Sequence, residues 1–170
     1  MLCKNPQLLQ ERLNGKETQK EQDLVIKFSG LMFIAGFIVA GLGARFHWYT
    51  LPTGVVIGGV VVFFLAYLLY GEVLRENTYL SRTIKVQEGQ TVVETGLYGI
   101  VRHPMYSATL LLFLAMPVVL GSLYALPIFL LYPLLIAKRI RGEEALLEKE
   151  LEGYAAYKRK VKYRLVPFIW

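Results

Sequence analysis

The sequence predicts an all-α fold, a polytopic membrane helix bundle of about four transmembrane helices that includes a C-terminal helical hairpin. Three observations carry that expectation. Of 170 residues, 55% are hydrophobic and only 19% are charged. The charges are segregated: apart from tyrosines, only His47 is ionisable between Arg45 and Glu72, and nothing is between His103 and Lys138. A water-soluble bundle needs polar helix faces, and these runs supply none.

In order, residues 1–23 read as a polar N-terminal arm, with Leu8, Leu9 and Leu13 spaced for one apolar face. That spacing predicts a helix lying on the membrane surface rather than a substrate-gripping element. The charged and polar first 23 residues do not fit a secretory signal peptide. Two transmembrane helices follow within 24–70. The first covers 24–44, with Lys27 near its start able to snorkel to the interface. Residues 45–50 read as a short loop. The second helix covers 51–70, a length of about 30 Å. Its Tyr67 and Tyr70 suit an interfacial aromatic belt. Glycines at 30, 36, 41 and 43, and again at 54, 58 and 59, permit close helix approach.

Residues 71–170 form the third region. Residues 72–81 are expected to continue as a helix out of the membrane, and the alternation over 83–93 suggests an extended passage. Residues 105–120 and 123–137 are two shorter apolar passes joined by a tight turn at Gly121-Ser122. Pro117, Pro127 and Pro133 are expected to bend them. Leu147, Leu151, Tyr154, Tyr157 and Val161 recur near helical spacing, as in a cytoplasmic helix that packs back as a lid with Gly153 as its hinge.

Composition also excludes function classes. The single cysteine, Cys3, permits no internal disulfide, and no Cys/His cluster has metal-ligand spacing, so no metal site is expected. The net charge of +6 does not signal nucleic acid, because the basic residues cluster at span ends. Lys and Arg alternate by segment: five up to Lys27, one in the 45–50 loop, four in 71–103, none in the 121 turn and nine from Lys138 onward. That pattern places both termini and the long loop on the cytoplasmic side. The basic residues of 158–164 also suit anionic lipid headgroups.

The densest polar chemistry lies in 96–108, GLYGIVRHPMYSA, and in the charged run 138–152. The hairpin should return the second stretch to the first. Pro104 suits a first helical position and holds His103 extended before it. A helix start offers free N–H groups and a positive dipole end to a carboxylate or ribose hydroxyl. The alternative is that Arg102, His103, Tyr98 and Tyr106 merely anchor a span at the interface; composition alone does not choose. Arg139 and Glu143 stand four apart and share a helix face, where a solvated charged face is the plainer reading.

The order Gly96-x-Tyr98, Arg102-His103-Pro104-x-Tyr106, a hydrophobic hairpin, Arg139-Ile140-x-x-Glu143-Glu144, Gly153-Tyr154-x-x-Tyr157 and Pro167 resembles the isoprenylcysteine carboxyl methyltransferase family, to which phospholipid methyltransferases are related. The resemblance covers roughly residues 83–168. It implies an integral-membrane enzyme using S-adenosylmethionine, with the cytoplasmic loop and C-terminal helix enclosing the cofactor. Carried over by position, it implies cofactor binding by Gln90, Thr91, Val92, Val93, Tyr98, His103, Pro104, Met105, Tyr106 and Glu143. It implies that Arg139 is the catalytic, substrate-contacting arginine. The implied acceptor is lipophilic, foremost a prenylated cysteine carboxylate, with a phospholipid or small thiol as alternatives. An NADPH-dependent enzyme like the membrane sterol reductases, which have a similar C-terminal hairpin, is the rival of another class.

Overall fold

The computed structural model describes residues 20–48, 51–80, 84, 86, 87 and 89–170. Among these there is no strand. The elements are α1 (Lys20–Arg45), α2 (Thr53–Glu76), a 3₁₀ turn (Gly96–Gly99), α3 (Pro104–Val119), α4 (Leu126–Phe129), α5 (Tyr132–Glu150) and α6 (Tyr154–Lys160). The arm expected over 1–23 lies outside the described residues, except that 20–23 are helical and open α1.

Two segments, Gln22–Arg45 and Thr53–Glu76, are long and apolar enough to cross a membrane. In their most apolar windows only 22% and 11% of residues are buried. The core helix of a soluble protein would hide such residues. Here Leu31, Ile34, Ile57, Phe64 and Leu68 point outward, as they should when lipid is the solvent. The apolar α3 has 16 residues, about 24 Å at 1.5 Å per residue, and is short for a full crossing.

The expected fourth pass is broken into α4 and α5, and its prolines act differently from the expected bends. Pro127 and Pro133 lie in the first turns of α4 and α5, where the missing N–H costs no helical hydrogen bond. They start helices. Only Pro117 lies inside one. Because α5 runs unbroken from Tyr132 to Glu150, one rigid rod carries both the end of the apolar pass and the charged run.

α2 packs along α3, while α1 packs against α4 and α5. At the α2–α3 contact, a Cβ on Gly59 would come within 2.7 Å of Val118 Cγ1, so only glycine permits this approach. The α1 side is closed by aromatic rings. Phe33 lies edge-on to Phe113 at 4.6 Å and to Phe129 at 5.8 Å, and Phe113 meets Tyr132 at 4.8 Å. The fully buried Phe129 sits at the centre of this cluster.

α2 ends at Glu76, five residues before the expected end at 81. Asn77 is extended, and its Oδ1 accepts the Tyr79 N–H at 2.9 Å. This side-chain turn competes with another helical turn. The freed Glu76 carboxylate accepts the Leu97 N–H at 2.9 Å and so anchors the 3₁₀ turn. Gly96 has φ of 53°, and a Cβ there would collide with that carboxylate. Gly96→Ala is therefore expected to cost about 1–2 kcal/mol for the left-handed backbone alone and to displace Tyr98. Thermal unfolding in detergent micelles checks this, with a lowered melting temperature expected.

Candidate active site

The site begins at the start of α3. Pro104 occupies its first turn and His103 caps it with φ of −127°. The N–H groups of Arg102 and His103 are taken by the carbonyls of Tyr163 and Arg164, each at 2.9 Å. Ser107 Oγ donates to the Leu165 carbonyl at 2.6 Å. The C-terminal tail thus takes the two backbone donors that lead into the α3 start.

Arg102 and His103 are not interfacial anchors. They are 6% and 5% exposed and converge on Glu144 of α5, itself 3% exposed. Arg102 Nε donates to Glu144 Oε1 at 2.7 Å, His103 Nε2 lies 3.3 Å from the same oxygen, and Arg164 Nε donates to Oε2 at 2.9 Å. Arg102 Nη1 also donates to the carbonyls of Val161 and Lys162. One carboxylate therefore ties the α3 start, α5 and the tail together.

Burial by itself would raise the Glu144 carboxyl, but hydrogen bonds from His103 and Arg102, with Arg164 behind them, hold it down at about 2. An unfolded glutamate titrates near about 4.3. A folded value below the unfolded one stabilises the fold above the ordinary carboxylate range, and that stabilisation is lost as pH falls toward 2. The melting temperature is expected to hold from neutrality down to about pH 5 and to fall below it. Glu144→Gln should flatten that acid limb.

One helical position earlier, Glu143 meets a different partner. Tyr106 Oη donates to Glu143 Oε2 at 2.7 Å and accepts from Arg139 Nε at 3.0 Å. The α3 tyrosine thus lies between the two α5 charges and fixes the Arg139 guanidinium by its Nε edge. Rotation of about 100° per residue along α5 separates the tasks of the adjacent glutamates. Glu144 serves the fold, and Glu143 faces the cleft.

Ten of the eleven residues singled out from the sequence line one cleft: Gln90, Thr91, Val92, Val93, Tyr98, His103, Met105, Tyr106, Arg139 and Glu143. Pro104 does not. It faces the other side of α3 and lines an apolar groove with Leu69, Ile100, Leu111 and Val166. The cleft also takes Asn77, Tyr79, Leu147, Leu151, Tyr154 and Tyr157, which the sequence reading had not assigned to a ligand. Tyr154 and Tyr157 were legible as a helical repeat and as part of a motif. Asn77 carried no signal, because its place depends on where α2 stops. The lid expected from this repeat is two helices, with Gly153 at φ of 85° between them. Leu151, Tyr154, Tyr157 and Val161 form a buried cluster with Leu147 and Val92 against it.

The cleft's tyrosines are mostly tied to protein. Tyr98 Oη accepts from Asn77 Nδ2 at 2.9 Å, and Tyr157 Oη donates to the Tyr98 carbonyl at 2.7 Å. Burial pushes both hydroxyls above their ordinary range, so they remain neutral. Tyr154 Oη is buried with no hydrogen-bond partner among the described residues. The free interior of the cleft is about 90 Å³, below the roughly 300–1,000 Å³ of small-molecule sites. A nucleoside-sized ligand must therefore move its walls apart. Among the described residues no group of His, Cys, Asp or Glu side chains is suited to hold a metal ion.

Comparison with known proteins extends this picture. A Delta(14)-sterol reductase of Mus musculus is 33% identical over 91 residues, covering 52% of this chain and 22% of that protein. A Delta(14)-sterol reductase of Arabidopsis thaliana is 25% identical over 168 residues, covering 87% of this chain and 45% of the relative. One from Methylotuvimicrobium alcaliphilum is 30% identical over 95 residues, covering 53% and 22%. The chain spans less than half the length of these curated relatives. The sequence profile of the isoprenylcysteine carboxyl methyltransferase (ICMT) family matches residues 55–149, more than half of the chain, running from α2 to the end of α5. With its outward-facing apolar helices, the chain is an integral membrane protein and belongs to the isoprenylcysteine carboxyl methyltransferase family.

Proposed function

We propose that this protein is an S-adenosylmethionine-dependent methyltransferase acting on the carboxylate of a lipophilic acceptor, foremost a prenylated cysteine. The observation that carries the reading is the chain Arg139–Tyr106–Glu143 inside a cleft lined by the loop before the 3₁₀ turn and by α6. The lining suits the cofactor. Asn77, Gln90, Tyr98 and Glu143 offer polar atoms for amino, ribose and base groups, and Val92, Met105 and Leu147 offer apolar walls. Gln90, Thr91, Val92, Val93, Tyr98, His103, Met105, Tyr106 and Glu143 would hold it, and Pro104 would act through the backbone of the α3 start. The basic residues of 138–164 support a cytoplasmic placement of this end of the bundle.

S-adenosylmethionine supplies an electrophilic methyl group when bound. The residues of the chain supply position, which does most of the work in an in-line displacement. A carboxylate acceptor is ionised at neutral pH and needs no general base, which suits a site where His103 is engaged with Glu144. Held on Tyr106 through Nε, Arg139 would meet the acceptor with its planar guanidinium, a group that can hold both carboxylate oxygens at once. Glu143 would keep Tyr106, and through it Arg139, in register.

The sterol reductase relatives favour a second reading, an NADPH-dependent reductase acting on a sterol. Thermal shift of the purified protein separates the two. Stabilisation by S-adenosylhomocysteine and not by NADPH supports methyl transfer, and the reverse supports the reductase. Transfer of a labelled methyl group to a prenyl-cysteine analogue, compared with a phospholipid extract and a small thiol, then identifies the acceptor class.

A further inference from the structure

We propose that the Tyr154 hydroxyl is a ligand-facing hydrogen-bond donor of the cleft, directed to an acceptor nitrogen or oxygen of an adenosine group. The inference rests on the reading that the cleft takes an adenosine-bearing cofactor, which both candidate cofactors are.

Tyr154 opens α6, is 3% exposed and lines the cleft. Its ring packs with Leu151, Tyr157 and Val161, so the ring alone would account for a phenylalanine at this position. The hydroxyl is what needs explaining. Tyr98, Tyr106 and Tyr157, which line the same cleft, each engage protein through Oη, to Asn77, to Arg139 and Glu143, and to the Tyr98 carbonyl. Tyr154 Oη has no such partner among the described residues. A buried hydroxyl left unmade costs the fold free energy, and folded proteins retain few of them.

The surroundings select the kind of acceptor. Burial, and then the nearby Glu144 and Glu143 carboxylates, push the Tyr154 hydroxyl up, so it keeps its proton and donates. Glu143 would repel an incoming anion. A neutral ring nitrogen or ribose oxygen meets no such repulsion.

The test is Tyr154→Phe, titrated calorimetrically with S-adenosylhomocysteine and, in parallel, with NADPH. The expected result is about threefold to tenfold weaker binding of the cofactor that the wild type takes, the range of one lost neutral hydrogen bond. The ligand-free melting temperature should be unchanged or higher, because the hydroxyl has no protein bond to lose. Wild-type affinity in Tyr154→Phe overturns the inference and leaves the cofactor reading standing. A ligand-free melting temperature that falls in Tyr154→Phe also overturns it, since the hydroxyl then serves the fold. A wild type that binds neither compound overturns the cofactor reading, and this inference with it.

Discussion

Arg139→Lys is expected to bind S-adenosylhomocysteine like the wild type while losing about 100-fold or more of its methyl-transfer turnover, the penalty of a misplaced reactant. Arg139 donates through Nε to Tyr106 at 3.0 Å, and its planar guanidinium is a rigid fork of donors matched to a carboxylate. A lysine ammonium is a single point donor. It can reach Tyr106 or the acceptor, and it cannot hold two carboxylate oxygens in a plane. Cofactor affinity is spared because the charge is kept and because Gln90, Tyr98 and Met105 line the cleft from other elements. Calorimetry and labelled methyl transfer on the same preparation measure both quantities. Unchanged turnover would remove Arg139 from the reaction.

The second large effect is on the fold. Glu144→Ala is expected to destabilise the protein by about 3–5 kcal/mol, the cost of stripping one partner from a buried ion pair. Arg102, with its side chain 4% exposed, would be left facing the cavity of the lost carboxylate. Arg164 would lose its hold on α5, and with it the tail bonds to the α3 start would weaken. Such a loss is a large share of the roughly 5–15 kcal/mol that keeps an ordinary domain folded. Glu143→Ala, at a half-buried position whose carboxylate accepts from Tyr106, should cost far less. Thermal unfolding of the two variants, with limited proteolysis of the C-terminal tail, separates these outcomes. A Glu144→Ala variant as stable as Glu143→Ala would mean that the network does not hold the tail.

Much of this organisation is legible in local pattern. Charge-free runs mark the two long apolar helices, since lipid tolerates apolar side chains all round a helix. The spacing of Arg139 and Glu143 places them on one face of α5, and Tyr106 touches both. The hairpin returns the 138–152 stretch to the 96–108 stretch, with Arg102 donating to Glu144 across 42 positions of chain. The prolines were less legible, because a proline suits a first helical turn as well as a kink, and the break between α4 and α5 makes Pro133 a start. The end of α2 was missed for a related reason: apolar periodicity says where a helix can run, whereas the Asn77 turn says where it stops.

Adjacent glutamates mark the boundary between the two kinds of knowledge. Residue types and periods along this chain are enough to specify membrane helices, a polar corner before α3 and a charged rod after the hairpin, because those follow from short-range sterics and from where water is excluded. Which of Glu143 and Glu144 serves the fold, why Arg102 is buried, and why Asn77 and Tyr154 join the cleft depend on contacts with the C-terminal tail and across the hairpin. Such contacts leave no trace in local spacing. They arise only when packed helices bring distant groups within hydrogen-bond reach and make each buried charge find its partner.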